Sequence, residues 1–132
     1  MADISARIFS LSPDIRYVAI YRNGELFRQQ RDDIDASDSE SDRYEELLVN
    51  PTLLTLVGQR GDIDCGGAQF VVVGYGNFLQ LVIALQDGHV SICFEKTANP
   101  LSYVDAVIGA FGNRPMADHI RRGRKRVTDC RA

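Results

Sequence analysis

Ile15-Arg16-Tyr17-Val18-Ala19-Ile20-Tyr21-Arg22-Asn23-Gly24-Glu25-Leu26-Phe27-Arg28 is the stretch that decides the fold. Its first eight residues are rich in β-branched and aromatic side chains, which suit a pleated, half-buried surface. Asn23-Gly24 follows, and both residue types tolerate the positive φ that a type I′ turn needs at its two central positions. The reading is a β-hairpin that pairs Ile15–Arg22 with Glu25–Gln30.

Upstream of the hairpin, Ile4, Ile8 and Leu11 recur at helical spacing after Asp3, a candidate N-cap, until Ser12-Pro13 stops the pattern. A short helix is expected there, although Arg7-Ile8-Phe9 would equally open a strand. Downstream, Arg31–Glu46 holds eight acids against two arginines, a net charge of −6. Asp32, Asp33, Asp35, Asp38 and Glu40 repel one another and favour a solvated loop that leads into a helix. Asp42-Arg43-Tyr44-Glu45 has the spacing of a capping box, with Asp in place of Ser or Thr. Tyr44, Leu47 and Leu48 then form one apolar stripe. Pro51 lacks an N–H and clashes with the preceding turn, so Asn50-Pro51 reads as a cap followed by a restart. Leu53, Leu54, Leu56 and Val57 are expected to supply the buried side, and Gly58 or Gly61 the end, of a kinked or broken helix over 42–60.

Three strands are expected next. Gln69–Gly74 carries Phe70-Val71-Val72-Val73, Phe78–Gln86 carries Leu79, Leu81, Val82, Ile83 and Leu85, and His89–Glu95 alternates Val90, Ile92 and Phe94 with Ser91, Cys93 and Glu95. Turns at 74–77 and Asp87-Gly88 separate them. The first two strands are apolar on both faces, so both faces of the sheet should be covered. Asn99-Pro100 repeats the cap-plus-proline device. Leu101, Val104, Ile108 and Phe111 then mark one face of a last helix, with Gly112 as its C′ residue.

With 132 residues the chain is one domain by size. A chain of that length buries on the order of two-thirds of its unfolded surface, enough for a real core. The charge is unevenly spread. Residues 114–132 hold seven basic residues against two acids, and the other 113 hold eight against sixteen, so an acidic body of −8 ends in a tail of +5. Apolar periodicity stops after Phe111. The expected organisation is therefore a folded domain over 1–113 and a mobile basic tail over 114–132. The longest apolar run, Leu81–Leu85, is far too short to span a bilayer. The N-terminus has neither a basic n-region nor an apolar h-region. Cys65, Cys93 and Cys130 are odd in number and form no CxxC, which reads as reduced thiols in a reducing compartment. A cytoplasmic location is expected.

The motifs that would carry chemistry have simpler readings. Cys65 lies between Asp62-Ile63-Asp64 and Gly66-Gly67, where the acids would raise a thiol pKa, against a nucleophile. Asp62 and Asp64 lack the following Asp/Asn-Gly and distal Glu of an EF-hand. Arg60-Gly61-Asp62 reads as coincidence in a chain with no sign of secretion. Gly74-Tyr75-Gly76 does not complete GxGxxG because position 79 is Leu, and no GxxxxGK[ST] occurs. Arg121, Arg122, Arg124, Lys125 and Arg126 form the best candidate electrostatic patch. It has no aromatic residue to stack a base, so pairing with acidic protein surface such as 32–46 is favoured over nucleic acid.

In element order and lengths the chain resembles the roadblock/dynein light chain family of the profilin-like superfold. The resemblance rests on the hairpin about Asn23-Gly24, the helix over 42–60, the three strands and Pro100–Phe111, spanning about 4–112. The break at Asn50-Pro51 and the basic tail depart from the family pattern. The resemblance implies an α+β fold: a five-stranded, mostly antiparallel sheet with the long helix on one face and two shorter helices on the other. It implies a non-catalytic homodimer without cofactor or metal, joined through the long helix and the following edge strand. Here that interface would comprise Tyr44, Leu47, Leu48, Leu54, Gln69, Phe70, Val71, Val72 and Val73. It further implies a scaffold or regulator of a small GTPase or similar protein partner. The alternative is a small-ligand sensor of PAS or GAF type. Such a domain needs polar groups lining a pocket, and the expected faces look filled by Val, Leu and Ile.

Overall fold

The alternation of side chains along β-strands sorts this chain into two unlike layers. The computed structural model describes residues 1–31 and 39–112. The order is α1 (Ala2–Phe9), β1 (Ile15–Arg22), β2 (Glu25–Gln30), α2 (Ser39–Tyr44), a π-helical turn (Glu45–Val49), α3 (Asn50–Asp64), β3 (Phe70–Gly74), β4 (Leu79–Leu85), β5 (Gly88–Phe94), a 3₁₀ turn (Pro100–Tyr103) and α4 (Val104–Gly109). The strands form one sheet in the order β2-β1-β5-β4-β3, and every neighbouring pair is antiparallel. This is the expected α+β class. Asn23 and Gly24 take φ of 52° and 82°, as the hairpin turn demands.

One face of the sheet is apolar. Val18 and Ile20 of β1 sit opposite Ile92 and Val90 of β5, which sit opposite Leu81 and Ile83 of β4. These side chains, all fully buried, pack with Ile8 of α1 and with Val104 and Val107 of α4. Each such side chain contributes about 1.5–3 kcal/mol by leaving water. Arg31 fastens the α1–β1 connection: it donates from Nε to the Ile15 carbonyl at 2.6 Å and from Nη2 to the Ser12 carbonyl at 3.0 Å. Its guanidinium lies 5.0 Å from the Phe9 ring centroid.

Several boundaries differ from expectation. The first helix starts at Ala2 with Met1 as its N-cap, so Asp3 is a first-turn acid. The last helix opens as a 3₁₀ turn, with Asn99 Oδ1 accepting from the Leu101 N–H at 3.2 Å. Leu101, expected on the buried face, is 58% exposed on that turn, while Val104 and Val107 are buried.

The helix expected to be kinked or broken over 42–60 changes type there and continues through Asn50-Pro51. Asn50 is helical, with φ −65° and ψ −45°, and its N–H donates to the Glu45 carbonyl five residues back. A π turn widens the helix just before the proline. Nor does the helix stop at Gly58 or Gly61. It runs to Asp64, and Gly61 meets the returning chain: a Cβ there would lie 2.7 Å from the Gly67 carbonyl carbon. Leu56 and Val57, expected to be buried, are exposed.

Candidate functional site

The second face of the sheet, beneath the long helix, carries a polar set. Strand alternation places Tyr17 on β1, Gln80 on β4 and His89 and Ser91 on β5 on this side. The helix adds Glu46 and Asn50. These two are four residues apart across the π turn and both fully buried.

Glu46 is the hub. Its Oε1 accepts from His89 Nε2 at 2.8 Å and from Asn50 Nδ2 at 3.0 Å, and its Oε2 accepts from the Tyr17 hydroxyl at 3.2 Å. Donation by His89 requires the proton on Nε2. Three donors replace the water the carboxylate lost on burial. Burial, and next the Glu46 carboxylate, push the Tyr17 hydroxyl far above its ordinary pKa, so it remains a donor. The same two causes push the Cys93 thiol well up, and Cys93 is therefore no nucleophile at neutral pH.

Beside this hub lies a cavity of about 480 Å³. Tyr17, Glu46, Gln80 and Cys93 line its inner end, Glu45, Tyr75 and Phe78 its wall, and the exposed Ser41, Gly76 and Asn77 its mouth. The Tyr75 hydroxyl donates to Glu45 Oε1 at 2.8 Å. Burial raises the Glu45 pKa, partly offset by that hydrogen bond. Gln80 Nε2 is bonded to Ser91 Oγ. Glu45 Oε2 and Gln80 Oε1 are buried without a hydrogen-bond partner. The expectation that Val, Leu and Ile fill both faces is thus overturned on this side. Gln80 was masked by apolar neighbours in sequence, and His89 and Glu46 are 43 residues apart.

The surface assigned to a dimer lies on the outer side of the same helix and on β3. Tyr44 is 62% exposed, Leu48 50%, Leu47 42% and Val72 40%. Leu54, Gln69, Val71 and Val73 are half-buried. Phe70 is also half-buried and packs against the apolar core. Among the described residues β3 is a sheet edge and pairs with β4 alone. Arg121, Arg122, Arg124, Lys125 and Arg126, and residues 32–38 of the acidic run expected to meet them, lie outside the described residues. Cys65 is disulfide-bonded, while Cys93 is free. This overturns the expectation of three reduced thiols and removes the cysteine argument for a reducing compartment. Spacing in sequence could not show which thiols the fold brings together.

Among the described residues no cluster of three or more His, Cys, Asp and Glu could hold a metal ion. No described helix is long and apolar enough to cross a membrane.

An antiparallel five-stranded sheet between one long helix and two short ones defines the class of the fold. A solved structure of similar shape is the crystal structure of MglC from Myxococcus xanthus, with a TM-score of 0.46 and 12% identity over 93% of this chain and 98% of that one. No protein-family model matches the chain, and no curated protein sequence matches it either.

Proposed function

We propose that the protein is a non-catalytic homodimeric interaction module, a scaffold or regulator of a small GTPase or similar protein partner. The observation that carries this reading is the apolar stripe of Tyr44, Leu47 and Leu48 on the long helix, exposed beside a strand edge at β3 that no other described strand covers. Aromatic and leucine side chains at this exposure are costly to leave in water when they are contiguous. An open edge presents unpaired N–H and C=O groups that a second copy can satisfy. Two-fold closure, with each copy offering the same patch, is the commonest way to do both. The dimer interface on this reading comprises Tyr44, Leu47, Leu48, Leu54, Gln69 and Phe70–Val73.

The GTPase half of the proposal rests on the resemblance in element order to the roadblock family. Its test is retention of small GTPases encoded in the same genome, loaded with GDP or GTP, on the immobilised protein, alongside a nucleotide-turnover assay of the protein alone. Retention of one GTPase without intrinsic turnover supports the reading. Turnover by the purified protein would overturn it. The polar cavity favours a second reading, a small-ligand sensor, because it supplies the lining that reading requires.

A further inference from the structure

The acceptors left over around the cavity share one chemistry. Glu45 Oε2 and Gln80 Oε1 are both buried, both unpartnered, and both on residues that line it. Gln80 is only 1% exposed, so water reaches its amide oxygen through the cavity or not at all. The two tyrosine hydroxyls at the site are already spent as donors to Glu45 and Glu46. What the site lacks is a donor. Its aromatic wall is paired, with the Tyr75 and Phe78 rings 5.1 Å apart.

We propose that this cavity binds a small organic cation carrying N–H donors, an alkylammonium group, which donates to Glu45 Oε2 and Gln80 Oε1 and rests against Tyr75 and Phe78. An ammonium supplies three donors and no acceptor, matching the two orphan oxygens. Its charge is opposite to that of Glu45 and is attracted to aromatic faces. A bare metal ion fits poorly, because no described carboxylate and imidazole cluster converges on one point. The volume of about 480 Å³ exceeds that of one water and admits a short alkyl chain. Arg16, whose guanidinium lies 5.9 Å from the Phe78 centroid, does not line the cavity, being tied to Glu95 and the Asn77 carbonyl. Burial makes the Glu45 carboxylate costly to keep ionised in the empty protein, a cost that a bound cation relieves. The proposal does not depend on the dimer.

The test is NMR titration of the full chain with n-butylammonium chloride, with n-butanol as the neutral isostere. N-acetyl-lysine N-methylamide presents the same ammonium as a protein side chain would. Butylammonium is expected to shift the Tyr75, Phe78 and Gln80 resonances saturably below about 10 mM, while butanol does not. Glu45→Gln is expected to weaken binding by at least about tenfold, because it removes the charge and keeps the shape. Phe78→Leu, which leaves every acceptor in place, is expected to weaken it independently. Saturation by butylammonium alone identifies a free amine, and saturation by the lysine derivative as well identifies a side chain from a partner. Absence of saturable shifts with both cations, equal shifts with butanol, or unchanged binding in both variants would overturn the proposal.

Discussion

His89 Nε2 donates to Glu46 Oε1 at 2.8 Å across the boundary between the long helix and the sheet, and both side chains are withdrawn from water. The contact ties a helix that otherwise shows the sheet few large apolar groups at this level. The helix is π-helical at Glu45–Val49, and Glu46 and Asn50, four residues apart, lie together on its inward face just before Pro51.

Glu46→Leu is expected to lose roughly 3 kcal/mol or more of unfolding free energy, because Tyr17, Asn50 and His89 would all lose their acceptor. Glu46→Gln should lose less, since it still accepts on one side. Urea unfolding followed by circular dichroism measures both. A Glu46→Leu loss below about 1 kcal/mol would show that the hub is dispensable.

Glu45 provides a pH signature. Its folded-state pKa lies above the usual 4.5, chiefly through burial. Between the usual and the raised value the folded protein holds more protons than the unfolded chain, so ionised Glu45 lowers stability as pH rises through that window. Glu45→Gln is therefore expected to raise Tm at neutral pH, and the gain should fade as pH drops through 4.5. A gain that grows toward acid would contradict the sign.

At Gly61 the helix and the returning chain are in backbone contact, with the Gly67 N–H donating to the Gly61 carbonyl at 3.0 Å. A Cβ at 61 would stand 2.7 Å from both the carbon and the oxygen of the Gly67 carbonyl, and backbone cannot swing aside as a flexible side chain can. Gly61→Ala is expected to cost about 1–3 kcal/mol despite alanine's better helix propensity. Gly58→Ala, which meets nothing within 4 Å, should be neutral or stabilising. Thermal unfolding of the pair separates the two effects.

The hairpin and the strand positions were legible because each rests on local chemistry: Asn23-Gly24 and runs of Val and Ile; the layer order came from the resemblance in element order. The polar hub was not, because it is made by long-range register. Gln80 sits between Leu79 and Leu81 in a strand that reads as wholly apolar, and only its pairing with Cys93 of β5 and the helix above reveals its role. The Asn50-Pro51 dipeptide pointed to a kinked or broken helix on local rules. The helix instead continues through it after a π turn, and Asn50 is bonded to the buried Glu46, a partner 43 residues from His89 that local rules do not reveal. Leu101 and Leu56 misled for the opposite reason. Periodicity marks apolar positions but does not tell the covered face from an exposed one.

The central claim is that the exposed stripe and the β3 edge meet their like in a second copy. Sedimentation velocity of the reduced, full-length protein over a range of micromolar concentrations tests it most directly, together with Leu48→Glu, which places a charge in the stripe without touching the core. The account predicts a species of twice the 14.7 kDa chain mass for the wild type and a folded species of single mass for Leu48→Glu. A wild type that sediments at 14.7 kDa at the highest concentration, or a folded Leu48→Glu protein that stays at twice that mass, would contradict it.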